Sequence, residues 1–277
     1  MINLTAHFSN IVYHDDFHRY TADGKTLESV TRFISKFWPE FRKKYWLAHG
    51  ACKLHFKENR VVSDISRNVQ PDHILIEGAG KDGRDVEMHM NLVHKHLKDT
   101  VNEIKAQWKK ESDFGKRKGL FVHKYLEVRT QGKRPNIFDY PEDIREYILA
   151  AEAYIRKYEP QVLYRELVVG NTDLGLAGTI DSLEYVNFVK DYKTDKSIDK
   201  GNPWNKAKAP IDHLEASNLN KHFLQVNTYA YLFELGTGIK PEGMQIINFQ
   251  PNEYKIYDVP DMQREVKDMI QWNKMSI

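Results

Sequence analysis

The sequence predicts an α/β fold, a mixed β-sheet core flanked by helices and preceded by a helical N-terminal region. Three observations carry this. Apolar residues recur at three- and four-residue spacing over 88–110, 113–130 and 141–157, the helical period. From Gln161 to Lys193 the texture turns to β, through Val162-Leu163-Tyr164, Leu167-Val168-Val169, Leu183 and Phe188-Val189. A helix over 217–235 then leads to two more strands, Met244–Phe249 and Tyr254–Val259. Helices before and after a sheet give layers that cover both of its faces.

In chain order, Asp15-Asp16 is a turn signal between Ile11-Val12-Tyr13 and His18-Arg19-Tyr20, so 10–22 reads as a hairpin. Ser29 is placed to N-cap a helix through Phe37 that Pro39 limits. A second helix is expected over Phe41–Phe56. Val61-Val62 and Ile74-Leu75-Ile76 are short strand candidates, and Gly78 to Gly83 is loop-like. Pro141-Glu142-Asp143 opens the helix carrying Ile144, Ile148, Ala151 and Ile155. A polar loop with Gly201, Pro203 and Pro210 follows Lys193, and Pro260 opens a terminal helix. The chain is expected to divide into a hairpin and helical region, 1–110, and a core region, 111–277, able to form one compact unit.

Composition narrows the function classes. The 277 residues are 41% hydrophobic and 29% charged, the balance of a folded chain. No apolar run approaches the roughly 20 residues of a membrane span. Met1 to His7 lacks the layout of a secretory signal, so an intracellular protein is expected. Cys52 is the single cysteine, which excludes an internal disulfide, a cysteine zinc site and an iron–sulfur cluster. A catalytic metal would be held by oxygen and imidazole. Net charge is only +2, but Phe41–Trp46 and Lys105–Lys118 are basic and hold aromatics. Such stretches can bind phosphate and stack on bases, or be solvated helix faces with core aromatics.

The chemistry concentrates in Gly178-Thr179-Ile180-Asp181 and Asp191-Tyr192-Lys193-Thr194. Asp191 and Lys193 are two apart in a strand and share one face. The hairpin turn decides whether Asp181 joins them. A two-residue loop at Val186-Asn187 would set Ser182 opposite Asp191 and turn Asp181 away. A three-residue loop, Tyr185-Val186-Asn187, sets Asp181 opposite Asp191 and ends in a left-handed residue, which Asn tolerates. The three-residue loop is the expectation. Acids and a lysine on one face suit phosphodiester hydrolysis, which needs an activated water and charge neutralisation, both supplied by a carboxylate-held divalent cation.

Asp181 followed by Asp191-Tyr192-Lys193 resembles the core of the PD-(D/E)XK nucleases, and the flanking residues resemble the RecB-like form. Gly119-Leu120-Phe121-Val122-His123, with Gly115 a turn earlier and Glu127 a turn later, is similar to that branch's upstream helix. Gln225-Val226-Asn227-Thr228-Tyr229 is similar to its downstream helix. Over about 110–250 the resemblance implies a restriction-endonuclease-like fold and a metal-dependent deoxyribonuclease. It makes His123, Asp181, Asp191 and the Tyr192 carbonyl ligands to one or two Mg²⁺ or Mn²⁺ ions. Glu166, Lys193, Gln225 and Tyr229 would be the further catalytic residues. Gln225 and Tyr229, at i and i+4, share a helix face, and Gly115 and Gly119 share one with His123, where small residues permit close approach.

A second resemblance, in His18-Arg19-Tyr20, Asp23-Gly24 and Ser29-Val30-Thr31, is to phage exonucleases and mitochondrial genome maintenance exonucleases. It implies an exonuclease on single-stranded or end-exposed DNA, in the cytoplasm of a bacterial or phage-infected cell, with region 1–110 guiding DNA. Ser29, Thr31, Arg32, Lys116, Thr194, Lys196 and Trp204 are the expected DNA contacts. The partner is DNA, with a helicase or another replication or recombination protein possible beside it. The alternatives are a structure-specific endonuclease and a non-catalytic DNA-binding protein on the same fold.

Other candidates are weaker. Gly24-Lys25-Thr26 mimics the end of a phosphate loop, but the required upstream glycine is replaced by Arg19, so no ATP site is expected. His89, His94 and His96 lack a framing acid and read as surface or core histidines. Trp38, Trp46 and Trp108 read as helix-core packing. The loop Lys196–Lys208, with Lys200, Lys206 and Trp204, is either a mobile basic guide for a strand or simply a soluble loop.

Overall fold

In the computed structural model, the described residues are 4–17, 19–57, 59–62, 69–199, 201 and 205–275. His18, Lys200, Pro203 and Trp204, singled out above, lie outside them. The chain forms two compact units: residues 1–39 with 117–277, and residues 40–116.

The larger unit is built on an eight-stranded mixed sheet. Strands β1 (Ile11–His14), β2 (Arg19–Ala22) and β3 (Lys25–Ser29) form an antiparallel meander. The turn at Asp15–Phe17 falls where the two aspartates place it. Ser29 then caps α1 (Val30–Ser35), accepting from the Arg32 amide, so this helix begins as expected and ends before Phe37. β7 (Val162–Asn171), β8 (Leu176–Glu184) and β9 (Phe188–Lys193) follow as antiparallel neighbours. α6 (Asn218–Thr237) connects β9 to β10 (Gly243–Gln250), which runs parallel to β9 and pairs with β11 (Glu253–Asp258). α5 (Glu142–Tyr158) opens after Pro141, and α7 (Gln263–Met275) ends the described chain. The core under this sheet includes Phe33, Ile34, Ile180, Leu183, Val189, Leu224, Phe233 and Ile246.

One pairing positions everything else. β3 joins β8 in parallel only at Glu28↔Leu176 and Ser29↔Ala177, while β9 joins the far end of β8 at Ser182↔Lys190 through Glu184↔Phe188. Between these contacts the edge of β8 at Gly178–Asp181 has no strand neighbour on that side among the described pairings. Diverging strands open a crevice, the usual place for a site in an α/β sheet.

The smaller unit holds α2 (Lys43–His55), a three-stranded antiparallel sheet of β4 (Arg60–Val62), β5 (His73–Glu77) and β6 (Val86–His89), and α3 (Met90–His96). Its core gathers Tyr45, Ala48, Cys52, Ile74, Ile76, Val93 and Val101. Two helices expected over 88–110 and 113–130 are replaced. Residues 86–89 pair as β6, and a single helix, α4, runs from Lys98 to Thr130. No proline interrupts that span. Gly115 and Gly119 each cost only about 1 kcal/mol in a helix interior, too little to break it.

Candidate active site

The β8–β9 hairpin has the three-residue turn Tyr185–Asn187, and Asn187 takes the left-handed conformation with φ of 56°. The register Ser182↔Lys190 therefore carries Asp181 opposite Asp191 one step on. The Tyr192 amide donates to Asp181 Oδ2 at 2.6 Å, and Lys193 Nζ lies 2.6 Å from Asp191 Oδ2. Asp191 is only 2% exposed, so this ion pair sits where solvent hardly screens it.

β7 supplies the next acid. Arg165↔Ser182 and Leu167↔Ile180 flank Glu166, placing it across from Asp181. Glu166 has φ of 49°, left-handed backbone inside a strand. Such strain in a non-glycine residue persists only where the surroundings over-determine it.

α4 supplies the imidazole. His123 Nε2 is 3.0 Å from the Tyr192 carbonyl, and Nδ1 is 3.7 Å from Asp181 Oδ1. His123, Glu166 and Asp181 each present a donor atom within 4.8 Å of the others. Glu127 and Tyr192 line the same narrow cleft. The helix is anchored one face away: Tyr125 and Arg129 of α4 and Arg156 all donate to Glu152 of α5. Burial pushes the Glu152 carboxyl up, but these hydrogen bonds outweigh it and hold it at about 2.

Electrostatics sort the acids. Burial, then the charge of Asp181, pushes Glu166 up to about 7. Asp181 is also raised, by burial and by Asp191, against the pull of His123 and Lys193. Burial works against a charged Lys193, yet Asp191 and Asp181 overcome it and raise its pKa, so the ammonium is charged at neutral pH. Carboxylates crowded enough to resist ionising, beside an imidazole and the Tyr192 carbonyl, are a donor set suited to Mg²⁺ or Mn²⁺.

On α6, Gln225 Nε2 donates to the Tyr229 hydroxyl at 2.7 Å and to Thr31 Oγ1 at 3.2 Å, so the expected pair does share a face. Tyr229 packs onto the face of β8 at Gly178. A Cβ at Gly178 would collide with its ring, which explains the glycine in Gly178-Thr179-Ile180-Asp181. Desolvation raises the Tyr229 phenol well above its usual value, so it stays neutral. Sequence reasoning missed an adjacent pair: His222 Nε2 lies 2.7 Å from Asp195 Oδ2, and its Nδ1 faces Gln225 Oε1 at 3.3 Å. The i, i+3 spacing of His222 and Gln225 was the available signal. Buried Lys118, which points its ammonium at the Tyr147 ring, also went unnoticed.

The expected DNA contacts scatter more widely. Ser29 is occupied as a helix cap and Thr31 as a partner of Gln225. Arg32 is 83% exposed beside Glu28. Lys196 and Lys116 are exposed, while Thr194 is buried. Thr194 Oγ1 lies 3.8 Å from where a Gly119 Cβ would sit, so α4 approaches closely there, but a Cβ at Gly115 would meet nothing within 4 Å. The loop after β9 is not free over 205–216. Ala207 and Ile211 are buried, the Lys208 amide donates to Phe37 O, and Lys206 bridges Glu215. Trp38 is buried as expected, but Trp46 is 44% exposed. In Gly24-Lys25-Thr26, Gly24 closes the Asp23-Gly24 turn and Lys25 and Thr26 pair in β3, so no phosphate loop forms.

No protein-family model matches the chain, and no curated protein matches it. Among solved structures, one named “Putative exonuclease” from Eubacterium rectale is similar over 57% of this chain, with 18% identity and a TM-score of 0.39. The match spans 65% of that protein's chain, just under two thirds of its length.

Proposed function

We propose that this protein is a metal-dependent deoxyribonuclease of the RecB-like PD-(D/E)XK type, an exonuclease acting on single-stranded or end-exposed DNA. The observation that supports it is that His123, Glu166 and Asp181 present donor atoms within 4.8 Å of one another in one cleft, with the Asp191–Lys193 pair opposite Asp181 on β9. His123, Asp181, Asp191 and the Tyr192 carbonyl would hold the cation. A bound Mg²⁺ or Mn²⁺ would supply the water activation and phosphate charge neutralisation that the reaction needs.

The chain's own groups divide the remaining work. Lys193, kept protonated by its two aspartates, stabilises negative charge on the phosphoryl oxygens and does not act as base. Glu166, near 7, has the pKa suited to taking a proton from the attacking water at neutral pH. Gln225 ties the Tyr229 hydroxyl to α1 and so fixes the ring that packs against Gly178 of β8.

The test uses end-labelled linear and circular DNAs, single- and double-stranded, with and without Mn²⁺. The proposal expects Mn²⁺-dependent shortening of linear DNA, no cutting of circles, and no cutting by Asp181→Ala despite retained DNA binding. Equal cleavage by Asp181→Ala would reject the site. Cut circles would make the protein an endonuclease, and binding without any product would make it a non-catalytic DNA-binding protein.

A further inference from the structure

The smaller unit holds a second cluster of metal-ligating groups. His73 and His89 are cross-strand partners on β5 and β6, their rings 5.1 Å apart. Asp72 precedes β5, and its carbonyl accepts from the Met90 amide at 2.7 Å, which brings its carboxylate beside His89. Asp72 Oδ2 is 2.5 Å from His89 Nε2, and Oδ1 is 3.8 Å from His73 Nε2. One donor atom from each of the three lies within 4.8 Å of the others. The reading of His89 as unframed by any acid is therefore corrected: the framing acid stands 17 positions upstream and only the sheet brings it near. His94, which bonds the Lys44 carbonyl, and exposed His96 stay outside the cluster.

The donor geometry suits a cation. His73 Nδ1 faces Glu87 Oε1 at 2.9 Å, and an ionised carboxylate only accepts, so Nδ1 carries the proton. Nε2 then faces the Asp72 carboxylate, and in the tautomer protonated at Nδ1 it is the nitrogen that a cation would take. A carboxylate behind a histidine is also the usual support of a metal ligand, fixing its tautomer and orientation. His89 differs. Its Nδ1 accepts from the Asn91 amide, which leaves the proton on Nε2 towards Asp72. Ligation requires that proton to move to Nδ1, releasing the exposed Asn91 amide to water. Zn–N and Zn–O bonds of about 2.0–2.2 Å put tetrahedral ligands about 3.4 Å apart, between the two spacings present here.

We propose that Asp72, His73 and His89 form a binding site for a divalent transition-metal ion, zinc by preference. Three ligands leave one position to water, and the ion joins β5, β6 and the segment before β5. Nothing in this proposal depends on the nuclease reading. The test uses the full chain carrying His123→Ala and Asp181→Ala, stripped of metal, and titrates it with Zn²⁺ alone by calorimetry. Co²⁺ then reports geometry by its absorption spectrum. One equivalent of Zn²⁺, a tetrahedral Co²⁺ spectrum and a raised melting temperature are expected, all lost on adding His73→Gln and His89→Gln. Absence of zinc binding in the first protein, or full binding in the second, overturns the site. Should the glutamine protein lack native circular dichroism, Asp72→Asn replaces it. At least tenfold weaker zinc binding is expected there, and unchanged affinity overturns the proposal.

Discussion

The two carboxylate–imidazole clusters use similar residue types in different surroundings. In the larger unit, Asp191 is 2% exposed and shares its charge with Lys193 at 2.6 Å. In the smaller unit, the Asp72 side chain is 53% exposed and faces only imidazoles among the described contacts. Low solvent access strengthens the charge interactions in the first cluster and makes Glu166 and Asp181 resist ionising. Screening weakens the same interactions in the second. The comparison teaches that a donor set alone does not indicate chemistry. The lysine beside Asp191 and the acid raised to about 7 at Glu166 set the first cluster apart from the second, which has neither among the described contacts.

The sharpest way to break this contrast is to disable each cluster in turn. Asp181→Ala should lower Mn²⁺-dependent cleavage by at least about a thousandfold, the several kcal/mol that a bound cation supplies. His73→Gln with His89→Gln should leave the single-turnover rate within twofold (about 0.4 kcal/mol) of the parent. Comparable losses from both would erase the distinction.

Next in size is Lys193→Met. Loss of a preorganised charge-stabilising group costs about 10²–10³ in rate. The variant also strands a buried Asp191 charge, a penalty of about 3–5 kcal/mol that denaturant unfolding would read. Full activity with unchanged stability would show that the 2.6 Å pair has no part in either.

A pH series sharpens the role of Glu166, whose carboxyl is raised from its usual range to about 7. Without metal its base form is lost as pH falls through 7; a cation bound beside it lowers that point, so the rate should drop about tenfold per unit along a limb lying below 7. Glu166→Gln should be slow with that limb removed. The stability effect has the opposite sense. Between its unfolded value near 4.5 and the folded 7, the native state binds more protons, so this group costs stability as pH rises. Glu166→Gln should therefore melt higher than the parent at pH 8, and a lower melting point would reject the raised pKa.

The smallest effect belongs to Gly178→Ala. The added methyl meets the Tyr229 ring, and overpacking of this kind costs about 1–3 kcal/mol. Each kcal/mol lowers the melting temperature by about 2–4 °C in a unit of this size. Tyr229→Leu should restore part of it, and no rescue would place the strain elsewhere.

Local chemistry was legible in the sequence wherever a single element settles it. The left-handed Asn187 fixed the three-residue turn, and period two put Asp191 and Lys193 together. The i, i+4 spacing paired Gln225 with Tyr229, and Ser29 capped its helix. Tertiary structure alone decided the rest. The parallel contact of Ser29 with Ala177 joins segments far apart in the chain and opens the fork at Gly178–Asp181. The left-handed backbone of Glu166, the approach of Asp72 to His89, and the His222–Asp195 pair also depend on neighbours from other elements. Periodicity and capping act within a few residues through backbone geometry. Which strand pairs with which, and how deeply a carboxylate is buried, depends on contacts between distant segments whose energies no local pattern records.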